Sequence, residues 1–289
     1  MRLSRLWIIL QNMQDETDLG VAATEPSEIM PVMFVGHGLP INAALNNDFA
    51  KSLRDIALTI PPPRAIAIMS AHWITPDIHV TSAPHPRQIF DSIEFQQELH
   101  EIDYEPPGHP ELAEEICNLL RISTIAAKTN PRRGLDVSVW GILVHMYPEA
   151  TIPVVEISLS YHIDPSHIIE VGKALTSLRN RGVLLMGSGG LVHNVYEMSQ
   201  NFNTTPFAWA IEADKKITAL IQAGHASALS EFVVQNLGRS PAIPTPEHIL
   251  PAIAMLATIA PEDRIRFFYE SFQNSTLSMR SFIIERKKA

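Results

Sequence analysis

Residues 182–194, Gly-Val-Leu-Leu-Met-Gly-Ser-Gly-Gly-Leu-Val-His-Asn, decide how the rest of the chain is read. The run Gly182–Met186 has no polar position. It therefore lacks both the alternation of a strand with one wet face and the 3.6-residue period of a surface helix. A short unbroken apolar run bounded by glycines fits a strand covered on both faces, as in a largely parallel sheet. The glycines that follow let the backbone turn sharply, and the turn delivers His193.

The same plan recurs elsewhere. Pro31–Val35 runs into Gly36-His37-Gly38, Arg64–Met69 into Ser70-Ala71-His72-Trp73, and Ile152–Leu159 into Ser160-Tyr161-His162. Helical spacing fills the intervals over Asp48–Leu58, Pro110–Leu120, Ser166–Leu178 and Trp209–Ala223. Strands alternating with helices predict βαβ units with right-handed crossovers. The expected fold is α/β: a single domain over residues 31–289, with a largely parallel or mixed central sheet covered by helices on both faces.

Residues 1–30 are expected to form a mobile extension. Arg2 and Arg5 precede an apolar run, but it stops at Leu10, short of the roughly 7–15 residues of a secretory core. Residues 11–30 are polar and acidic, with no period. Of the 289 residues, 46% are hydrophobic and 18% charged, a composition of soluble globular proteins. The net charge of -9, with a basic run only at Arg286-Lys287-Lys288, argues against a nucleic-acid partner. No stretch approaches the roughly 20 apolar residues of a membrane span. The chain is expected to be cytoplasmic, with no membrane partner. Its one cysteine, Cys117, reads as a core residue and allows no disulfide within the chain. The sequence fixes no oligomeric state.

Open α/β sheets bind ligands beyond the carboxyl ends of their strands. His37, His72 and His193 all stand at such strand-to-loop junctions, and parallel strands would bring them to one edge. His248 is the fourth candidate. Thr245 can cap a helix and Pro246 can take its first position, which places His248 in the first turn. Neutral imidazole ligates zinc and non-haem iron, and three or four such rings suffice for an open catalytic site. Any one of these histidines could equally be a hydrogen-bonded structural residue; repetition at equivalent junctions favours a shared site. His162 follows the same kind of run and is a reserve candidate. His79, His85, His100 and His109 lie in a proline-rich, acidic region and are expected in solvent, whereas His145, in the helix-like Trp140–Tyr147, reads as structural. The Gly187–Gly190 loop lacks the Lys-Ser/Thr of a P-loop and the full Gly-x-Gly-x-x-Gly fingerprint. Ser188 is not framed as a Gly-x-Ser-x-Gly elbow.

Seven blocks in order carry a resemblance over residues 31–285: Phe34-Val-Gly-His37-Gly-Leu-Pro40, Ser70-Ala-His72-Trp73, Tyr104-Glu-Pro-Pro-Gly108, Trp140-Gly141 with Met146-Tyr147-Pro148, Gly189-Gly-Leu-Val-His193-Asn194, Thr245-Pro-Glu-His248 and Leu277-Ser-Met279. Together they resemble the DOPA-dioxygenase type of class III extradiol ring-cleaving dioxygenases. The resemblance implies one mononuclear metal per chain, Fe(II) or Zn(II), at His37, His72, His193 and His248. It also credits His193 with acid–base work, so that residue is either ligand or base. The implied reaction opens the ring of a catechol such as 4,5-DOPA with O2. Asp136 and His162 are the candidate substrate-binding residues.

One block departs from the pattern. The family typically reads Gly-x-Asp-His-Gly before the Trp-Gly pair, and here the stretch is Gly134-Leu135-Asp136-Val137-Ser138-Val139-Trp140-Gly141. Val137 stands where the family has a histidine, and valine moves no proton. Either His162 or a water supplies that role, or the activity is altered or lost. Two further readings stay open: a zinc-dependent hydrolase using the same histidines, and a catalytically silent metal-binding protein on the same scaffold.

Overall fold

Along the first strand, Val32 and Phe34 face one helical layer while Met33 and Val35 face another, and all four side chains are fully buried. That two-sided burial is what the unbroken apolar runs encode. The computed structural model describes residues 29–91, 95–162 and 164–287. In chain order the elements are β1 (Val32–Gly36), α1 (Asp48–Ala57), β2 (Ala65–Thr75), β3 (Ile78–Thr81), α2 (Gln96–His100), α3 (Pro110–Ile122), β4 (Ala127–Asn130), α4 (Val137–Met146), β5 (Val154–Ser160), α5 (His167–Leu175), β6 (Val183–Gly189), α6 (Ala208–Gln222), α7 (Ala226–Asn236), α8 (Leu250–Leu256), β7 (Asp263–Tyr269), β8 (Phe272–Gln273), β9 (Leu277–Ser278) and β10 (Ser281–Arg286).

Eight strands form one sheet in the order β4-β3-β5-β2-β6-β1-β10-β7. The four inner strands β5, β2, β6 and β1 are parallel. Around them β3 runs antiparallel to β5, and β10 runs antiparallel to both β1 and β7. The sheet is thus mixed, with a parallel centre. One core cluster joins Phe34, Ala67 and Leu185 to Ile116 of α3, Val171 of α5, Ile217 of α6, Val233 of α7 and Ile253 of α8. The other joins Met33, Ile68 and Met186 to Leu53 of α1, Leu99 of α2 and Trp140 of α4. Helices therefore cover both faces. Cys117 is fully buried within the first cluster.

Two local expectations differ from the structure. The second strand does not stop at Met69 but continues to Thr75, and its register against β5 shifts between Met69 and Ile74. A register shift inserts unpaired residues and re-aims their side chains, and His72 stands on that irregular stretch. The helix expected from Pro246 instead begins at Leu250. Pro246–Ile249 make a turn closed by the amides of Ile249 and Leu250 on the Pro246 carbonyl, at 3.1 and 3.2 Å. Pro251 sets this start: without an N–H, and with its ring against the preceding turn, it is tolerated only in a helix's first turn. Thr245 then donates its hydroxyl to Glu247 at 2.6 Å instead of capping. Residues 1–28 of the expected extension lie outside the described residues. Among the described residues no helix is long and apolar enough to cross a membrane.

Candidate metal centre

The parallel centre of the sheet puts β2, β6 and β1 side by side, so their carboxyl ends open onto one crevice. His37 follows β1, His72 stands late in β2, and the turn carrying His248 docks on the end of β6. That docking is fixed by backbone. The amide of Gly190 donates to the His248 carbonyl at 2.8 Å, and a Cβ on Gly189 would lie 2.0 Å from the same oxygen. Glycine at 189 is therefore a condition of His248 reaching the site. Gly38, with φ +63, turns the chain after His37 into the left-handed region that glycine adopts at little cost.

The rings of His37 and His72 are 4.9 Å apart between centroids, those of His37 and His248 5.5 Å, and those of His72 and His248 5.7 Å. One ring nitrogen from each of these three lies within 4.8 Å of the others. Their second nitrogens are all engaged. Ser188 donates its hydroxyl to the Ser138 carbonyl at 2.6 Å, so its oxygen is left to accept from His37 Nδ1 at 2.9 Å. His72 Nδ1 meets Asp91 Oδ2 at 2.8 Å, and His248 Nδ1 meets Glu247 Oε1 at 3.2 Å. A hydroxyl already donating, and two carboxylates, can only accept. Each ring therefore carries its proton on Nδ1 and keeps the Nε2 lone pair free.

That donor set fits a metal ion. His37 Nε2 is buried and has no hydrogen-bond partner. An orphaned buried acceptor is costly unless something fills the role. Three neutral imidazole nitrogens with protons pinned by outer partners are the arrangement of open zinc and iron sites, in which further positions remain for a ligand. The electrostatics favour the neutral ring at two of the three. Burial, then the neighbouring His72, His248 and His193, holds the His37 ring well below its ordinary pKa, and burial lowers that of His248. Burial opposes the proton on His72 too, but Asp91 and Asp136 outweigh it and raise that ring's value. Glu247 would be raised by burial, yet hydrogen bonds from His248 and Thr245 hold it at about 2.

His193 behaves differently. Its ring stacks on His248 with centroids 3.4 Å apart and planes within 7°. The ring nitrogens that lie within 4.8 Å of one another come from His37, His72 and His248. His193 accordingly falls outside the three-nitrogen group. Burial and the nearby His248 and His72 keep its pKa well below the usual value, so it is a neutral imidazole beside the other three.

Behind His72 lies a buried polar network. Asp136, fully buried, caps α4 by accepting from the Ser138 amide at 3.1 Å, and also accepts from the hydroxyls of Ser70 and Ser138, each at 2.8 Å. The Ser70 oxygen accepts the amide of His72 at 3.0 Å. Arg133 donates to Asp136 at 3.1 Å. Glu156 lies against this carboxylate, and burial followed by repulsion from Asp136 raises its pKa well above normal. Asp136 thus supports the strand that carries His72. Val137, 4% exposed, lines an apolar recess of about 20 Å³ with His37, His72, Phe49 and Ile142, room for one water-sized molecule.

His162 is not brought to this place. It is exposed and lines a separate surface cavity with Pro76, Asp77, Ser160, His167 and Glu170. Of the histidines expected in solvent, His79 is half-buried in β3, edge-on to Trp73 at 6.1 Å, and His109 accepts the Leu112 amide to cap α3. His145 donates to the Asn42 carbonyl at 2.9 Å, a structural tie between α4 and the loop after β1. The sequence reading missed the outer partners Ser188, Asp91 and Glu247. Glu247 adjoins His248 and Ser188 stands between the glycines that end β6, so both could have been suspected. Asp91, 19 residues from His72, gives no signal.

Comparison with known proteins is consistent with this geometry. Residues 33–282 match the family model described as the catalytic LigB subunit of aromatic ring-opening dioxygenase. The 4,5-DOPA dioxygenase extradiol of Escherichia coli is 32% identical over 87% of this chain and 93% of its own length. The protein of the same name from Beta vulgaris is 30% identical, over 88% and 96%. Among solved structures, an uncharacterized protein of Escherichia coli K12 superposes with a TM-score of 0.74 at 29% identity, covering 88% of this chain and 99% of the other.

Proposed function

The chain belongs to the LigB family of aromatic ring-opening dioxygenases, and from that premise we propose that it opens the ring of a catechol with O2 at one metal ion held by His37, His72 and His248. The observation that carries this reading is the shared Nε2-free state of three convergent rings, with His37 Nε2 buried and unpartnered. A bound divalent ion, Fe(II) in the active form, supplies Lewis acidity that eases phenol ionisation and brings diol and O2 together. His193 is the base of the site. This neutral, half-buried imidazole takes the phenolic proton at its ring nitrogen, and its stacking on His248 holds it beside the three ligands. Asp136 and the two serines hold the strand of His72 in place, and Val137 presents an apolar wall to the small recess beside His37 and His72. In the overall reaction both atoms of O2 enter one diol, giving a ring-opened semialdehyde.

The test is anaerobic Fe(II) loading followed by a panel of catechols, reading O2 uptake and the yellow semialdehyde absorbance. Equimolar O2 consumption is expected from the wild type, and iron retention without turnover from His193→Ala. Iron bound with no turnover across the panel contradicts the proposal.

A second reading, a catalytically silent metal-binding protein, is favoured by one feature: the buried Val137 puts an apolar side chain beside His37 and His72, where the resemblance implies a histidine. Val137→His separates the two. A silent parent that gains turnover supports the second reading, and activity in the parent removes it.

A further inference from the structure

Asp91 serves two donors with its two oxygens. Its Oδ2 lies 2.8 Å from His72 Nδ1, while its Oδ1 accepts the backbone N–H of Val137, the first residue of α4, at 3.1 Å. A carboxylate has no hydrogen to give, so both partners must donate, and His72 must carry its proton on Nδ1. The geometry points to Asp91 as a positioning residue that locks His72 in the tautomer whose Nε2 is free for an ion. This rests on the three-histidine reading above and adds to it a residue that touches neither ion nor substrate.

The consequence is an inverted order of substitutions. Asparagine offers one acceptor and one NH2 donor. With its oxygen toward Val137, the NH2 faces His72 Nδ1, and the pair is satisfied once the His72 proton moves to Nε2, which blocks the nitrogen an ion needs. With its oxygen toward His72, two N–H groups oppose each other at the start of α4. The first arrangement leaves no clash and is the one adopted. Alanine lets water accept from Nδ1–H, and Nε2 stays open. Asp91→Asn, the smaller change in shape, should therefore bind an ion more weakly than Asp91→Ala. A residue that merely capped α4 would give the reverse order, because asparagine keeps the acceptor for Val137.

The experiment uses the full chain made ion-free with a chelator, with thermal melts of each variant to establish folding. Zn(II) affinity is read by competition with a chromophoric chelator, and the His72 tautomer by 15N shifts of labelled histidine. Losses of about tenfold for Asp91→Ala and about a hundredfold for Asp91→Asn are expected, the range typical of partners to metal-bound histidines. His72 should move from Nδ1–H in the wild type to Nε2–H in Asp91→Asn. Equal or tighter binding by Asp91→Asn than by Asp91→Ala, or an unchanged tautomer, overturns the inference. So does a fall of Asp91→Ala to the level of His72→Ala, which would make Asp91 a ligand. If the wild type binds and His37→Ala does not, these failures leave the three-histidine reading standing. A wild type that binds no zinc removes both.

Discussion

Opposite ends of the same strands treat buried polar groups in opposite ways. Before β1 and β6, Arg179 is 2% exposed and each of its three side-chain nitrogens is bonded, to the carbonyls of Met30 and Thr258 and to both oxygens of the fully buried Asp263, the closest at 2.7 Å. After β1 and β6, His37 is buried with one nitrogen held and the other left over. The first pole is closed: everything taken from water has found a partner inside the protein. The second is open, and the missing partner has to come from solution. Comparable burial therefore serves stability at one end and binding at the other, and the number of leftover lone pairs tells them apart.

The contrast can be broken in four places. His37→Ala should cost the most in binding, about three orders of magnitude in divalent-ion affinity, or roughly 4 of the about 10 kcal/mol of a full zinc site. Isothermal titration of the ion-free protein checks it, and unchanged affinity would show that the open pole is not a site. Arg179→Ala should act at the closed pole alone. Removing one member of a buried pair costs about 3–5 kcal/mol, read by urea unfolding, with ion affinity unchanged. Gly189→Ala should cross the two poles' behaviours. Its Cβ would meet the His248 carbonyl at 2.0 Å, so the turn must shift, lowering stability by about 1–3 kcal/mol and ion affinity by about tenfold. An ion affinity left intact would mean that His248 is held by something other than this contact.

The smallest effect concerns acid. Burial pushes the Asp263 carboxyl up, but its hydrogen bonds, chiefly from Arg179, bring its pKa below the ordinary value. A group depressed on folding contributes stability above its unfolded pKa, about 4, and that stability is lost as the pH falls through the folded value. The gap in unfolding free energy between wild type and Arg179→Ala should therefore narrow below about pH 4. A gap that stays constant from pH 6 to pH 3 would assign the loss to packing instead of the ion pair.

The sequence disclosed the centre of the molecule better than its margins. The strands β1, β2, β5 and β6 are covered on both faces, so their continuous apolar runs are distinctive. The edge strands β4 (Ala-Lys-Thr-Asn) and β7 (Asp-Arg-Ile-Arg-Phe-Phe-Tyr) are mostly half-exposed, and their composition merges with that of loops. Glycine punctuation marked His37 and His193, because sharp turns after buried strands leave a local signature. His72 was found for a partly wrong reason: the strand does not end before it, and the register shift that re-aims the backbone there depends on pairing with β5. His248 is legible in the sequence, but the turn that carries it is not helical, because Pro251 starts the helix at Leu250. His162 passed the same test as the others and lies elsewhere, since β5 ends beside the antiparallel β3 instead of among the three inner strands that converge. Asp91 needed the fold, because a loop brings it back to His72 across 19 residues with no periodic trace.

The most direct measurement is an anomalous difference map from a crystal of the chain loaded with zinc or iron. One peak is expected, bonded to Nε2 of His37, His72 and His248, with the His193 ring stacked on His248 and unbound. A peak bonded to His193 in place of one of the three, or no peak in the crevice at full loading, would contradict an open pole built from Nδ1-pinned histidines.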